Sequence, residues 1–381
     1  MIELALIQFL KSQEVNKPSR NRKTFNQMLS SLEKKRRARK IPRGSLHTPE
    51  NSAWRKVLSG RSDGAMITLT GVDHVTFNML HDKFCPLYNT LSPHNTEGIL
   101  SKIGKPGRRR VFSSWDCLGL CLAWTRTRGG LFMLSMMFGI TSSGISLYIR
   151  FGRRLMIEVL RREESAKVKI PSDEKICEYK ECVRYRHPKL SNVWMTMDGL
   201  KLQLEQSPKC EIQNRFYNGW THDHYETNIF GFAPSGTIVV ATTNVPGCVH
   251  DSTVCEWGNI YKKLGKVYER TGAMVTVDSA FCRKNHEYLI KSSNTLPCTA
   301  EEIHINDEAT SMRQSAEWGM RSFQASFPRI KDRIIYEEKG ERKLILEMLV
   351  YLFNFRANKV GISQIKNTYL TPLLKEGNSL L

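Results

Sequence analysis

The chain has 381 residues, with 57 Lys and Arg against 37 Asp and Glu, 40% hydrophobic residues and ten Cys. This length supports two domains with cores of their own, and the composition is too apolar for a mostly disordered protein. The formal charge of +20 favours a polyanionic partner, because Lys and Arg neutralise phosphates and release condensed counterions. A basic surface that serves only solubility is the alternative.

The charge is unevenly distributed along the chain. Residues 1–170 contain 30 Lys and Arg and 12 Asp and Glu, a net charge of +18. Residues 171–381 contain 27 and 25, a net charge of +2. We therefore expect the first part to hold nucleic acid, which leaves the carboxylates of the second part available to bind cations.

The cysteines and the apolar segments indicate the compartment. The Cys residues form no C-x-x-C pair and lack a His at zinc-finger spacing, so we expect neither structural zinc nor a disulfide framework. With no secretory signal at Met1–Leu10, the thiols indicate a reducing compartment. The uncharged stretch between Arg128 and Arg150 is long enough to span a membrane, but its Gly and Ser residues favour two helices joined by a turn. We expect no membrane partner.

Residues 1–64 are predicted to form a basic N-terminal arm. Its compact basic run is typical of a phosphate-binding patch or a nuclear-import signal, so we expect a nuclear location; a solvated helix face is the alternative. A second basic cluster falls in a predicted loop after Pro106 and Gly107. From these clusters we expect DNA contacts by Lys34, Lys35, Arg36, Arg37, Arg108, Arg109 and Arg110.

Residues 65–170 are predicted to be a helical DNA-binding region. A short helix at 131–137, turn residues at 140–144 and a longer helix at 145–162 have the outline of a helix-turn-helix, whose basic second helix can enter the major groove. An ordinary pair of helices with a basic outer face is the alternative. The predicted DNA contacts on the longer helix are Arg150, Arg153 and Arg154.

Short strands follow a polar stretch at 171–190 that we expect to be a linker. Strands are predicted at 193–197, 225–232, 237–242 and 274–277, with a helix at 252–264 between the last two. This order is typical of a mixed α/β domain. We place the domain at 191–360 and a C-terminal tail at 361–381.

Three acidic residues of this domain form the candidate catalytic site. Asp198 and Asp278 each follow a predicted strand, where open sheets place their working residues, and Glu317 lies on a predicted helix at 308–327. Carboxylate oxygens are ligands that Mg²⁺ prefers, and three converging carboxylates can hold two ions, Mg²⁺ or Mn²⁺, about 4 Å apart. Such a site cuts phosphodiester bonds without a nucleophilic side chain. A scatter of surface acids is the alternative.

Neighbouring residues are candidates for supporting roles. Asp251 is the rival second metal ligand; its alternative role is to cap the helix that starts at Ser252. His250 could contact a phosphate or a ligand water; a packed His is the alternative. Arg313 and Arg321 flank Glu317 at minus four and plus four, which suits either phosphate contact or ion pairing with the glutamate.

Three aromatic residues of the domain could contact nucleobases. Trp194, Tyr217 and Trp220 could stack on unpaired bases. Aromatic residues in or beside strands more often belong to a core, so burial is the alternative for each of them.

The motifs resemble those of PIF/Harbinger transposases and their nuclease relatives. The run from Asn244 to Ser252 is similar to the P-G-S-x-H-D-S signature of that family, and Met197-Asp198-Gly199 resembles its first catalytic aspartate. Val277-Asp278-Ser279 resembles the second aspartate, and Ala316-Glu317-Trp318 lies where the helical glutamate falls. Cys248 in place of the usual Ser, and Trp318 in place of a basic residue, depart from the family pattern.

The resemblance implies an RNase H-like α/β fold, a mixed sheet flanked by helices. It also implies a D-D-E endonuclease that cuts double-stranded DNA at element ends and joins them to a target. A homo-oligomer and a separate DNA-binding partner protein are the further partners that we consider. The alternative function is a catalytically idle relative that binds DNA or acts as an adaptor.

Overall fold

The computed structural model describes residue 30 and residues 41–93, 110–207, 209–281, 286–291, 299–334 and 339–375. Most of the predicted DNA contacts in the two basic clusters lie outside these residues, namely Lys34, Lys35, Arg36, Arg37, Arg108 and Arg109.

The described elements are helices with one sheet. The helices are α1 (Ala53–Ser59), α2 (Asp63–Thr70), α3 (His74–Thr90), α4 (Ser114–Arg126), α5 (Phe132–Phe138), α6 (Ser142–Arg162), α7 (Asp173–Arg186), α8 (Cys210–Phe216), α9 (Asp251–Trp257), α10 (Ile260–Thr271), α11 (Ala300–Ser326), α12 (Lys339–Lys359) and α13 (Gln364–Lys375). The strands are β1 (Val193–Gln203), β2 (Tyr217–Asn218), β3 (Asp223–Phe232), β4 (Ile238–Pro246), β5 (Met274–Val277) and β6 (Leu289–Ile290).

The chain forms two compact units, whose boundaries differ from the predicted ones. The smaller unit comprises the described residues up to Gly60 together with Gly130–Tyr148. In it, the buried Trp54 of α1 stacks on Phe138 of α5, with 5.4 Å between ring centroids. The larger unit comprises Arg61–Gly129 and Ile149–Leu381, so much of the predicted helical region shares a unit with the predicted α/β domain.

The sheet of the larger unit is mixed. Its strands lie in the order β4-β3-β1-β5-β6, and the short β2 pairs with the first two residues of β3. The β1–β3 and β3–β4 pairs are antiparallel, whereas β1–β5 and β5–β6 are parallel. Helices flank this sheet, and the architecture is RNase H-like, as the motifs implied.

Two apolar layers hold helices on the sheet. One layer joins β1, β3 and β5 to α7, α9 and α10 through residues such as Trp194, Ile229 and Leu264. The other is aromatic: Phe230 of β3 lies 5.1 Å from Phe323 of α11, measured between ring centroids. The aromatic layer holds α11, which carries Glu317, against β3, the neighbour of the strand that carries Asp198.

The stretch at 171–190 is not a linker. It contains α7, whose first turn is capped by Ser172 and whose Ile176 and Tyr179 are buried in the core. The charged residues on the exposed face of the helix gave the stretch its polar composition. The apolar spacing of three that marks the buried face was the signal we missed.

The longer helix of the predicted helix-turn-helix is present as α6, but two of its arginines do not face solvent. Arg153 and Arg154 both bind the Glu341 carboxylate of α12, at 3.0 and 2.5 Å, and their side chains are only 12% and 14% exposed. Both guanidinium groups are thus paired with a carboxylate that lies far away in the sequence, and DNA contacts by these two residues stay a prediction. Arg150 is exposed, so its DNA contact stays a prediction.

Arg110 also has a structural role. It donates hydrogen bonds to the carbonyl oxygens of Tyr88 and Leu91, and its guanidinium lies 4.4 Å from the centroid of the Tyr88 ring. This side chain fastens the end of α3, which does not fit the predicted DNA contact.

No single helix in the described ranges is long and apolar enough to cross a membrane; only α5 and α6 taken together, as a broken pair, pass that test.

A buried ion pair joins β3 to α12. Arg342 Nε lies 3.2 Å from Glu226 Oε2, and both side chains are almost wholly inaccessible to solvent. The same nitrogen donates to Asn244 Oδ1 at 2.5 Å. Burial raises the pKa of Glu226 to about 7, and Arg342 opposes this increase.

We expect Arg342→Met to lower the free energy of unfolding by about 3–5 kcal/mol, because it leaves the Glu226 carboxylate unpaired in the core. The double variant Glu226→Leu/Arg342→Met should recover at least half of that loss. Urea denaturation measures both values. Arg333→Met, which breaks a half-exposed ion pair with Asp223, is the control and should cost about 1 kcal/mol or less. Equal losses for the two single variants would contradict the prediction.

Candidate active site

The ends of two parallel strands bring the first two acidic residues together. Met197 of β1 and Val277 of β5 form the last parallel pair in the register, and Asp198 and Asp278 follow them directly. We expected Asp198 to follow the end of its strand. Instead, β1 continues to Gln203 through antiparallel pairing with β3. The adjacency predicted for the two aspartates holds because the parallel ladder, not the strand, ends at Met197.

Asp251 also lies close to this pair, with its carboxylate beside Gly199. A Cβ atom at Gly199 would lie 2.8 Å from Asp251 Oδ2, so any other residue there would displace the Asp251 carboxylate. The N-cap of α9 is His250, and Asp251 is the first helical residue. The capping role that we considered for Asp251 is therefore not observed.

The pKa of Asp198 reflects a cluster of like charges. Burial raises it to about 6, and the negative charges of Asp278 and Asp251 act in the same direction. The backbone N–H of Gly199, which donates to Asp198 Oδ1 at 2.7 Å, and the positive charge of Arg313 oppose the increase. The three aspartates are therefore close enough to repel one another.

Asp251 has the same kind of environment. Burial raises its pKa; the positive charge of Lys201 lowers it, the charge of Asp278 raises it and that of His250 lowers it. Sequence reasoning missed Lys201, which is exposed on β1 three residues after Asp198. His250 is exposed beside the site, so its contact with a phosphate or a ligand water stays a prediction.

Glu317 reaches the cluster through an arginine. On α11, Arg313 Nη1 donates to Asp278 Oδ1 at 3.1 Å, while Arg313 Nη2 lies 4.0 Å from Glu317 Oε1. Arg321 lies 3.7 Å from the other Glu317 oxygen and is 78% exposed. One guanidinium thus lies between the second aspartate and the glutamate, so Arg313 does more than pair with Glu317 along the helix.

The expected convergence of Asp198, Asp278 and Glu317 on a metal position is not observed. Within the described ranges, no three His, Cys, Asp or Glu side chains are arranged to hold a metal ion. Arg313 supplies a positive charge that contacts both Asp278 and Glu317. The donor chemistry nevertheless fits Mg²⁺ or Mn²⁺, because the mutually repelling groups are carboxylates.

The raised pKa of Asp198 makes stability depend on pH. The ordinary value is 3.8 and the folded value about 6, so the folded state binds the proton more tightly. Without metal, the free energy of unfolding should therefore fall as pH rises from about 4 to 6. Asp198→Asn should be more stable than the wild type above pH 6, by roughly 1–3 kcal/mol, and similar near pH 4.

Urea unfolding in EDTA at pH 4 and 7.5 tests this expectation. Asp307→Asn, which removes an exposed carboxylate from α11, controls for loss of one surface charge. A destabilised Asp198→Asn at pH 7.5 would contradict the proposed repulsion.

Comparison with known proteins gives one match. Residues 197–354 match the family model of the DDE superfamily endonuclease. No curated protein and no solved structure matches the chain. The matched segment contains Asp198, Asp251, Asp278 and Glu317, and it supports a place in the DDE transposase superfamily for this part of the chain.

Proposed function

We propose that this protein is a metal-dependent DNA endonuclease of the PIF/Harbinger transposase type, which cuts and joins DNA. The observation that carries the proposal is the group of repelling aspartates, Asp198, Asp251 and Asp278, inside the segment that matches the DDE endonucleases. Like charges held together without metal destabilise the folded protein, and bound divalent cations would relieve that cost.

Asp198, Asp278 and Glu317 are the residues that would hold two Mg²⁺ or Mn²⁺ ions. When bound, such ions lower the pKa of an attacking water or 3′-hydroxyl and stabilise the leaving oxygen. Asp251 remains the rival of Asp278, since both charges act on Asp198. Because a metal ligand must be deprotonated, we expect metal affinity to rise through the pKa of Asp198, near pH 6.

Double-stranded DNA is the substrate of the proposed reaction. The net charge of +18 on residues 1–170 supports it, with Arg150, Lys34, Lys35, Arg36, Arg37, Arg108 and Arg109 as candidate phosphate contacts. Arg321 is the most exposed cation beside Glu317 and suits a phosphate near the cut. Chromosomal DNA as substrate goes with a nuclear location; assembly as a homo-oligomer and a separate DNA-binding partner belong to the same proposal.

A second function is favoured by one observation. Arg313 already offsets the charges of Asp278 and Glu317, so the carboxylates persist without metal. A catalytically idle relative that only binds DNA would have such a site. The two functions differ in whether metal displaces the guanidinium.

The catalytic proposal is tested by nicking of supercoiled plasmid DNA that carries the element ends. The wild type should nick with Mg²⁺ or Mn²⁺, and Asp198→Ala and Glu317→Ala should reduce the rate by about 100-fold or more. The nicking rates of Asp278→Asn and Asp251→Asn identify the second ligand, which is the residue whose substitution lowers the rate more. Asp307→Asn is the control. Equal nicking by the wild type and Asp198→Ala would exclude the endonuclease.

Arg313 gives a separate prediction about metal binding. In Arg313→Gln no guanidinium has to leave Asp278, so we expect Mn²⁺ to bind about tenfold more tightly, a gain of about 1.4 kcal/mol. Arg321→Gln is the matched control, because Arg321 contacts Glu317 but not Asp278. Titration calorimetry with Mn²⁺ measures the affinities without DNA. Weaker Mn²⁺ binding by Arg313→Gln would show that the arginine supports the metal site instead.

A further inference from the structure

Trp220 is the most exposed large apolar side chain in the described part of the chain. It lies in the turn between β2 and β3 and is 91% accessible to solvent. Trp194, in contrast, is fully buried in the core, and Tyr217 is 40% exposed. The structure thus separates the three aromatic residues that the sequence left equivalent, and only Trp220 presents both faces of its ring to solvent.

The turn that carries Trp220 is held by a buried side chain. Asn218 Oδ1 accepts hydrogen bonds from the backbone N–H groups of Trp220 and Thr221, at 3.0 and 3.2 Å. His222 has a φ of +53°, a left-handed conformation that closes the turn. The Tyr217 hydroxyl lies 3.4 Å from His222 Nδ1. The backbone is therefore fixed while the indole is left free, which lowers the entropy cost of binding a ligand there.

The turn is tied to the loop that leads to the candidate active site. Asn218 Nδ2 donates to the Gly247 carbonyl at 2.8 Å, and the Gly247 N–H donates to the Tyr225 carbonyl at 2.9 Å. Four residues after Gly247 the chain reaches Asp251. A shift of this loop would therefore affect both the turn and an acidic residue of the site.

The sheet register sets the distance between Trp220 and the site. Phe230 of β3 pairs with Asp198, and β3 begins at Asp223. Seven residues of strand span about 23 Å, or about seven steps of duplex DNA at 3.4 Å. The start of β3, where the turn ends, thus lies about seven duplex steps along the strand from the level of Asp198.

The surroundings of Trp220 suit a nucleobase better than a protein surface. Its neighbours in the turn, Gly219, Thr221 and His222, are not apolar, whereas the interfaces of proteins are marked by contiguous apolar patches. Arg215 precedes Trp220 by five residues, is exposed and offers a phosphate contact; its carbonyl accepts a hydrogen bond from Cys248. A rigid aromatic ring beside a cation is the usual platform for unpaired bases.

We propose that Trp220 stacks on an unpaired nucleobase of the DNA substrate, at a distance from the bond that is cut. This inference rests on the proposed function, because it takes DNA as the substrate. Stacking is tolerant of sequence, so the ligand class is any base that has left the duplex, at a bulge, a frayed end or a distorted junction.

The test compares two duplexes by fluorescence anisotropy in EDTA. One is a labelled, fully paired duplex, and the other carries a single extrahelical thymine. The wild type should bind the bulged duplex about tenfold more tightly, and Trp220→Ala should bind both equally. Trp220→Phe should keep most of the preference. Trp257→Ala is the matched control, since Trp257 is 61% exposed on α9, and it should keep all of it.

Retention of the bulge preference by Trp220→Ala would overturn the inference. A wild type that binds both duplexes equally would also overturn it. So would a Trp220→Ala variant that differs from the wild type only in its mass by light scattering, because that result would assign the turn to a protein contact. Unfolding curves establish that the variants fold. The binding assay needs no metal, so its outcome is independent of plasmid nicking. If the protein nicks plasmid but its bulge preference does not depend on Trp220, only this inference is contradicted. If the bulge preference depends on Trp220 but the protein does not nick plasmid, only the endonuclease is contradicted.

Discussion

Repulsion among Asp198, Asp251 and Asp278, partly offset by Arg313, is the constraint on which the candidate site depends. These groups lie on or beside four elements: Asp198 is on β1, Asp278 directly follows β5, Asp251 is in the first turn of α9 and Arg313 is on α11. Each is held by packing elsewhere, through the parallel ladder, the glycine at 199 and the aromatic layer around Phe323. The fold therefore holds together negative charges that would separate in water, and a bound divalent cation would offset their repulsion.

The candidate site and the Trp220 turn share a scaffold. β3 runs from the turn to the residue opposite Asp198, and Asn218 ties the turn to the loop that ends at Asp251. The start of β3, next to the turn, thus lies about 23 Å along the strand from the level of Asp198. An enzyme that acts on DNA can use such an arrangement to hold the substrate at one point while it reacts at another.

The sequence predicted the elements with strong local signals. β5 is confirmed at 274–277, and the predicted helix at 308–327 is present as the second part of α11, which begins earlier, at Ala300, and ends at Ser326. The predicted helix at 252–264 is two helices, α9 and α10, because Asn259 adopts a left-handed conformation between them. The linker failed because charge on the exposed face of α7 masked its buried face. Local pattern identifies an element, but it does not reveal what that element packs against.

By itself, the sequence determined the fold class and the resemblance to transposases, and it predicted the acidic residues of the candidate site, because strand periodicity and motif order are local properties. Tertiary structure alone decided which charges meet. Arg153 and Arg154 bind Glu341, Arg313 binds Asp278, and Asp251 approaches Gly199. Each contact joins residues on different elements, and the sequence carries no record of distance in space. The same reason separates Trp194, which the sheet buries, from Trp220, which its turn exposes.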